Sequence, residues 1–160
     1  MDSYTNIKIR FSFMHIHVNN EIIVVLLANN QPHIMYKILL LLAGGGIGTV
    51  ARYVVSDYTH KYYLGSFPLG TLAVNMIGSL VIGILWGLFD MQNLSHGIRA
   101  FLFIGILGGF TTFSSYAIES FNMFRDGDVK LAMVNIMANN VLSIGMVILG
   151  IMLSSSLQKL

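Results

Sequence analysis

The sequence predicts an all-α integral membrane protein of four spanning helices. Of its 160 residues, 55% are hydrophobic and only 10% are charged, with a mean hydropathy of +0.72. A soluble domain carries about 25% charged residues, so a water-soluble fold is excluded by composition. The second observation is that the uncharged residues are gathered into long stretches. The third is the absence of cysteine, which excludes disulfide scaffolds, thiolate metal sites and cysteine nucleophiles.

Four uncharged stretches define the predicted spans. Residues 68–89, 100–118 and 131–158 carry no charge, and a helix needs roughly 20 apolar residues to cross the hydrocarbon core. The first stretch, 38–51, is followed by Arg52 and qualifies if that side chain faces protein or water, or reaches an interface. We therefore predict a membrane domain over residues 35–160, with helices over about 36–58, 68–89, 99–123 and 130–158.

Residues 1–34 do not fit this pattern. The longest apolar run there, 22–28, is too short to span a membrane, and Glu21 separates it from the residues before it. No small-residue cleavage site of a signal peptide follows that run. Met35 stands directly before the first predicted span. We interpret residues 1–34 as an N-terminal extension that is dispensable or results from a misassigned start.

Lysine and arginine are nearly balanced between the two sides of the predicted bundle. From Met35 onward, one side carries Lys37, Arg99 and Lys159, and the other carries Lys61, Arg125, Lys130 and, at the end of the first helix, Arg52. Positive residues mark the cytoplasmic side of a membrane protein. The balance therefore has two interpretations, a small protein with few charges or dual topology, in which chains insert both ways and pair antiparallel. The scattered charges form no basic patch for nucleic acid.

Two predicted helices carry a stripe of polar residues spaced i, i+4, i+8. The stripes are Thr71, Asn75 and Ser79 in the second helix and Asn135, Asn139 and Ser143 in the fourth. A polar group inside the membrane must find a partner. The stripes either join helices to one another or form a polar pathway, and two stripes in so small a protein favour the pathway.

Pairs of glycines spaced by three residues predict close helix packing. These pairs are Gly44 and Gly48, Gly83 and Gly87, and Gly105 and Gly109. Two glycines on one helical face let the backbones of neighbouring helices approach closely. Together the pairs predict a tight bundle or oligomer.

The third span contains a predicted helix break. Gly108 and Gly109 are followed by five hydroxyl residues within residues 111–116. Glycine lowers helix propensity by about 1 kcal/mol relative to alanine, and serine and threonine can bond freed backbone groups. A break at membrane depth would present carbonyls to a cation and amides and hydroxyls to an anion. The alternative is a kinked but continuous helix.

An anion is the cargo that the polar groups favour. The spans hold asparagine amides and hydroxyls, and their acidic residues, Asp57 and Glu119, lie near the ends of the first and third predicted helices. Phe110, Phe113 and Tyr116 recur every three residues and share a face. Aromatic edges carry positive partial charge and can contact an anion, although such a stripe is also typical of packing.

Three stretches resemble signature segments of the Fluc (CrcB) family of fluoride channels. They are GGGIGTVARY at 44–53, FPLGTLAVN at 67–75 and GGFTTFSSY at 108–116. The resemblance runs in order from about Met35 to the C-terminus. It implies a dual-topology antiparallel homodimer in the inner membrane with two fluoride pores, a broken third helix and a structural sodium ion at the centre of the dimer interface. It also implies passive export of fluoride from the cytoplasm and no enzymatic activity.

The resemblance also assigns residues to sites. The carbonyls of Gly108 and Thr111 would hold the sodium ion, and Arg52 and Glu119 would be structural or vestibule residues. The fluoride pore would be lined by Asn75, Phe113, Tyr116, Ser115, Ser143, Thr71 and Asn139. Three of these depart from the family's usual residues. Tyr116 stands where the second pore aromatic is typically Phe, Ser115 replaces a common Thr, and Asn139 falls where some members have Tyr.

Two other functions are compatible with four small membrane helices. A dual-topology multidrug or guanidinium exporter requires a membrane-embedded carboxylate, usually in the first helix, and residues 36–56 contain none. A purely structural membrane protein would use the polar stripes as helix contacts and would carry no ion flux.

Overall fold

The computed structural model describes residues 32–63, 65–89 and 94–158, and all regular structure in this part of the chain is helical. Within it, four helical segments are long and apolar enough to cross a membrane. The predicted four-helix membrane fold is thereby confirmed. The predicted extension, residues 1–34, lies outside the described residues apart from its last three.

Three of the spans are continuous helices, α1 (Pro32–Tyr62), α2 (Leu69–Leu88) and α6 (Val129–Leu157). The third span, His96–Arg125, consists of α3 (His96–Arg99), a π-helical segment (Ala100–Leu107), α4 (Gly108–Phe110) and α5 (Phe113–Arg125). Helix α1 extends past the end predicted from its apolar stretch. Its last turns include the exposed charged residues Asp57 and Lys61. A charged residue ends an apolar stretch of sequence, but it does not interrupt the backbone hydrogen bonds of a helix.

The third span is interrupted at Thr111 and Thr112. Both residues are extended, with φ/ψ of −77°/158° for Thr111 and −149°/115° for Thr112. Thr112 then caps α5, since its Oγ1 accepts a hydrogen bond from the Ser115 amide at 3.2 Å. The span is therefore broken, as the glycine and hydroxyl pattern predicts, and the continuous kinked helix is excluded.

The π-helical segment before this break was not predicted. Residues 100–107 are apolar and contain no proline or hydroxyl residue that would indicate it. π-Helical turns are rare and occur frequently at functional sites. Here the segment leads directly into α4 and the break.

Glycines bring α1 close to the third span. A Cβ atom on Gly44 would lie 2.6 Å from the Phe101 carbonyl oxygen, and one on Gly109 would lie 2.7 Å from the Gly45 carbonyl oxygen. Gly48 is equally confined, against the backbone of Ile106. Two of the predicted glycine pairs thus face each other, and only glycine permits this separation.

Helix α2 packs against α6 in the same manner. A Cβ atom on Gly83 would overlap the Val147 carbonyl, and one on Gly150 would lie 2.5 Å from the Leu80 carbonyl oxygen. Val74 of α2 and Asn135 of α6 are fully buried. This packing places the two polar stripes against each other and beside the break in the third span.

Candidate functional site

A cavity of about 400 Å³ lies where α2, α6 and the broken third span meet. Its apolar walls include Ile82, Phe103 and Leu107. Among the described residues that line it, none is charged. Its polar and aromatic lining residues are Asn75, Ser79, Thr111, Thr112, Phe113, Tyr116, Asn139, Asn140 and Ser143.

Asn75 holds the break open through two hydrogen bonds. The Thr112 amide donates to Asn75 Oδ1 at 2.9 Å, and Asn75 Nδ2 donates to the Thr112 carbonyl at 3.1 Å. In an uninterrupted α-helix the Thr112 amide would instead bond the Gly108 carbonyl, four residues earlier. The Asn75 side chain therefore replaces a backbone hydrogen bond of the third span and satisfies both the amide and the carbonyl of Thr112.

A ladder of side-chain amides leads away from this pair of hydrogen bonds between Asn75 and Thr112, which we call the clamp. Asn75 Nδ2 also donates to Asn139 Oδ1 at 3.0 Å, and Asn139 Nδ2 donates to Asn135 Oδ1 at 2.8 Å. Asn135 Nδ2 donates to Ser120 Oγ at 2.9 Å, which in turn donates to the Tyr116 carbonyl at 2.8 Å. Each group in the ladder fixes the orientation of the next, because an amide nitrogen only donates and an amide oxygen only accepts.

Two aromatic rings stand beside the amides. Phe113 and Tyr116 pack edge to face, with ring centroids 5.2 Å apart and an interplanar angle of 71°. Phe113 is 76% exposed in the single chain, although it lies at membrane depth between apolar segments. Ring edges with positive partial charge are therefore available in the cavity.

One hydroxyl in the cavity has an unused proton. Among the described residues, Ser143 Oγ is buried and has no hydrogen-bond partner. A buried polar group without a partner costs free energy, on the order of 1–3 kcal/mol. A ligand that accepts a hydrogen bond would recover this cost, and Ser143 lines the cavity where such a ligand would sit.

The two helix ends at the break differ in polarity: the N-terminus of α5 favours an anion, and the C-terminus of the preceding half favours a cation. Helix α5 begins at Phe113, so the positive end of its dipole starts at the cavity. The preceding helical half ends at Phe110 and presents carbonyl oxygens. The Gly108 carbonyl has lost its helical donor to Asn75, and the Thr111 carbonyl lies 3.5 Å from Arg52 Nη1.

Most residues predicted from the sequence as pore residues meet at this cavity. Asn75, Phe113, Tyr116, Asn139 and Ser143 line it, together with Gly108 and Thr111, for which a sodium site is expected. Besides Arg52, three predicted site residues in the described part of the chain lie outside its lining: Thr71, Ser115 and Glu119.

These three residues make other contacts. Thr71 Oγ1 donates to Glu119 Oε1 at 2.6 Å, and Glu119 lines a second cavity with Asp126 and Asp128. Ser115 contacts the break through its hydroxyl, which accepts from Thr112 Oγ1 at 3.0 Å. Thr71 and Glu119 thus form a separate polar pair at one end of the bundle.

Two residues of the site were missed by sequence reasoning. Thr112 acts through its backbone and through its cap on α5, neither of which a stripe of side chains indicates. Asn140 also lines the cavity and donates to the Tyr116 hydroxyl at 3.1 Å. It lies one residue off the stripe of Asn139, about 100° around the helix, so only the position of Tyr116 reveals its role.

Comparison with known proteins places these features in a family. Residues 39–151 match the family described as CrcB-like protein, Camphor Resistance (CrcB). A fluoride-specific ion channel FluC of Parabacteroides distasonis is 45% identical over 123 residues, which cover 77% of this chain and 96% of that protein. The FluC of Pyrococcus abyssi is 44% identical over 117 residues, covering 72% of this chain and 94% of the relative. The FluC of a Dehalococcoides mccartyi strain is 42% identical over 127 residues, covering 78% and 97%.

Proposed function

The chain belongs to the CrcB-like family, and we propose that it is a fluoride-selective ion channel through which fluoride leaves the cytoplasm passively. The structural observation that carries the proposal is the cavity beside the helix break. It combines neutral hydrogen-bond donors, aromatic edges and the positive end of α5. The relatives named as fluoride-specific ion channels support the same ion.

A fluoride channel must replace strongly held water without trapping the ion. The Ser143 hydroxyl, whose proton has no partner among the described residues, offers a donor, and the edges of Phe113 and Tyr116 offer partial positive charge. Among the described lining residues there is no lysine or arginine that would hold the anion in place. Conduction requires binding that is favourable enough for entry and weak enough for release, and neutral donors meet both conditions.

The amides of Asn75 and Asn139 would enter the pathway by exchange. Both hydrogens of Asn75 Nδ2 are engaged, one on the Thr112 carbonyl and one on Asn139 Oδ1. We propose that fluoride takes the place of the Asn139 acceptor as it passes, while the bonds to Thr112 keep the break in place. The Asn75 donor then alternates between Asn139 Oδ1 and the ion, so no N–H of Asn75 is left unpaired in the membrane.

The pair of Thr71 and Glu119 fits a vestibule at one end of this pathway. Their hydrogen bond of 2.6 Å lies outside the lining of the main cavity, and the Glu119 carboxyl opens onto the second cavity. We propose that Thr71 meets the ion here when its hydroxyl proton, which it otherwise donates to Glu119, is turned towards the pathway. Arg52 has a structural role through its contact with the Thr111 carbonyl, and Ser115 supports the cap of α5 through Thr112.

We further propose that two chains pair antiparallel, in both orientations in the cell's inner membrane. The nearly balanced lysines and arginines support this, because neither side is marked as cytoplasmic. The exposed Phe113 at the mouth of the cavity also supports it, since a second chain would cover this ring and close the cavity wall. Each chain would then contribute one pore to the pair.

A sodium ion fits the backbone of the break. The Gly108 carbonyl has lost its helical donor, and the Thr111 carbonyl accepts one long contact from Arg52, which leaves a lone pair available. Carbonyls of unwound helices and half-helix C-termini are the ligands that sodium takes in membrane proteins. Two chains would supply four such oxygens, and the ion would offset their mutual repulsion at the interface.

Replacing all sodium with N-methylglucamine should therefore weaken dimerisation measured by chemical crosslinking in detergent, and unchanged dimerisation would count against this site.

Ion efflux from liposomes tests the function. Vesicles holding the full chain and loaded with potassium fluoride or potassium chloride are placed in buffer without that anion, valinomycin lets potassium carry the balancing charge, and release is followed with ion-selective electrodes. We expect rapid fluoride release and no chloride release above protein-free vesicles. Release of neither anion would contradict the channel, and proton-coupled uptake of guanidinium by the same vesicles would instead indicate the exporter.

A further inference from the structure

The hydroxyl of Tyr116 is held in a defined orientation by Asn140. Asn140 Nδ2 donates both to the Ile136 carbonyl at 2.8 Å and to Tyr116 Oη at 3.1 Å. A backbone carbonyl only accepts hydrogen bonds, so the amide group that faces it must be the nitrogen. The contact with Ile136 thus fixes the amide of Asn140, and Tyr116 Oη must act as the acceptor in their bond.

The phenolic proton is consequently directed elsewhere. A tyrosine hydroxyl has one proton, and it cannot be donated to an Asn140 nitrogen that itself donates. Within the described part of the chain, the only hydrogen bond of Tyr116 Oη is the one it accepts from Asn140. Both residues line the cavity, as does Ser143 with its unpaired hydroxyl. The hydroxyls of Tyr116 and Ser143 therefore line one cavity with protons that lack an acceptor among the described residues.

We propose that the Tyr116 hydroxyl donates a hydrogen bond directly to the permeating anion, with Asn140 as the residue that positions its proton. This inference rests on the proposed function and adds a specificity-determining group to the same pathway. A hydrogen bond from an O–H donor to an anion is short and strong, whereas a ring edge offers only partial charge. Tyr116 would thus bind fluoride through its hydroxyl oxygen as well as through the edge of its ring.

A strong donor at this position favours the smaller ion. Charge-assisted O–H donors hold their acceptor at about 2.5–2.7 Å, a separation that suits fluoride and is too short for chloride. Tyr116 should therefore lower the fluoride concentration at which flux saturates and increase discrimination against chloride. Phenylalanine at the same position would keep the ring pair with Phe113 and lose the hydroxyl, with its contact to the anion and the bond that it accepts from Asn140.

The first test measures the fluoride dependence of efflux for the full chain and for Tyr116→Phe, Asn140→Leu and the double variant. We expect Tyr116→Phe to raise the half-saturating fluoride concentration about tenfold, as loss of one hydrogen bond to a charged group implies. Asn140→Leu should raise it in the original chain and have no further effect once Tyr116 is Phe. Tyr58→Phe, which removes the hydroxyl of an exposed tyrosine on α1, serves as the matched control and should behave as the original chain.

The second test detects the contact itself. A tyrosine hydroxyl that donates to an anion changes its near-ultraviolet absorption, so fluoride added to the protein in detergent should give a difference band that chloride does not. The band should be absent in Tyr116→Phe and retained in Tyr58→Phe. Equal saturation of Tyr116→Phe and the original chain, or a fluoride band that persists in Tyr116→Phe, would overturn the inference and leave the channel function intact. Absence of fluoride flux in the original chain would instead refute the proposed function.

Discussion

Asn75 and Thr112 are joined by two hydrogen bonds, of 2.9 and 3.1 Å, in which one amide side chain satisfies both backbone groups of an extended residue. The contact connects α2 to the break in the third span. It frees the Gly108 carbonyl from its helical role and fixes the start of α5 at the cavity. One residue thus determines where the helix ends, where it resumes and how the neighbouring amides are oriented.

Asn75→Ala should reduce fluoride efflux at least tenfold and destabilise the fold. It removes two bonds to Thr112 and one to Asn139, and a typical hydrogen bond contributes about 1 kcal/mol. Efflux from liposomes and the melting temperature in detergent measure the two effects. Ser155→Ala, which removes an exposed hydroxyl bonded only to its own helix, should change neither, and a fully active and stable Asn75→Ala would refute the clamp.

Phe113→Ile should strongly reduce fluoride flux and leave assembly largely intact. The substitution removes the ring edge from the cavity and leaves an apolar side chain in its place. Efflux assays report the first effect, and crosslinking reports assembly. Phe121→Ile, on the same helix and similarly exposed at 60%, is the matched control. A fluoride flux in Phe113→Ile equal to that of the original chain would show that the Phe113 ring does not contribute to the pore.

Gly48→Ala should lower stability, whereas Gly46→Ala should not. A Cβ atom on Gly48 would overlap the Ile106 carbonyl and lie 2.9 Å from the Phe110 amide nitrogen, but one on Gly46 would meet nothing within 4 Å. Overpacking of this kind costs about 1–3 kcal/mol, while alanine favours an exposed helix by up to about 1 kcal/mol. Thermal unfolding in detergent compares the two variants. Equal melting temperatures would indicate that α1 does not pack on the third span at this separation.

Removal of residues 1–34 should leave fluoride efflux unchanged. The predicted spans and every residue assigned to the pathway lie at or after residue 35. Efflux rates per reconstituted chain compare the full protein with a chain that begins at Met35. A shortened chain that is inserted into liposomes but conducts poorly would show that the extension contributes to function.

Local patterns were sufficient to predict much of this fold. Long uncharged stretches predict the four spans, and Gly108 with its following hydroxyls predicts the break, because both depend on neighbours in the sequence. The spacing of Gly44 and Gly48 likewise predicts close packing. It does not identify the partner, which the structure places at Gly105 and Gly109.

The features of the site that the sequence did not predict depend on contacts between residues that are far apart in the chain. Asn140 bonds Tyr116 across 24 positions, and the use of the Thr112 backbone by Asn75 is visible only once α2 and the third span are side by side. The π-helical segment has no distinguishing residue in its sequence. The roles assigned to Ser115 and Thr71 in the pore remain predictions, since both lie outside the described lining of the main cavity.

The reversal potential of single channels tests the central claim most directly. The full chain is incorporated into a planar bilayer with fluoride on one side and chloride on the other, and the voltage of zero current is recorded. A fluoride-selective pore predicts a large reversal potential, with the sign set by the fluoride gradient, and current that flows without any proton gradient. A reversal potential near zero, which means that chloride permeates equally, would contradict the account.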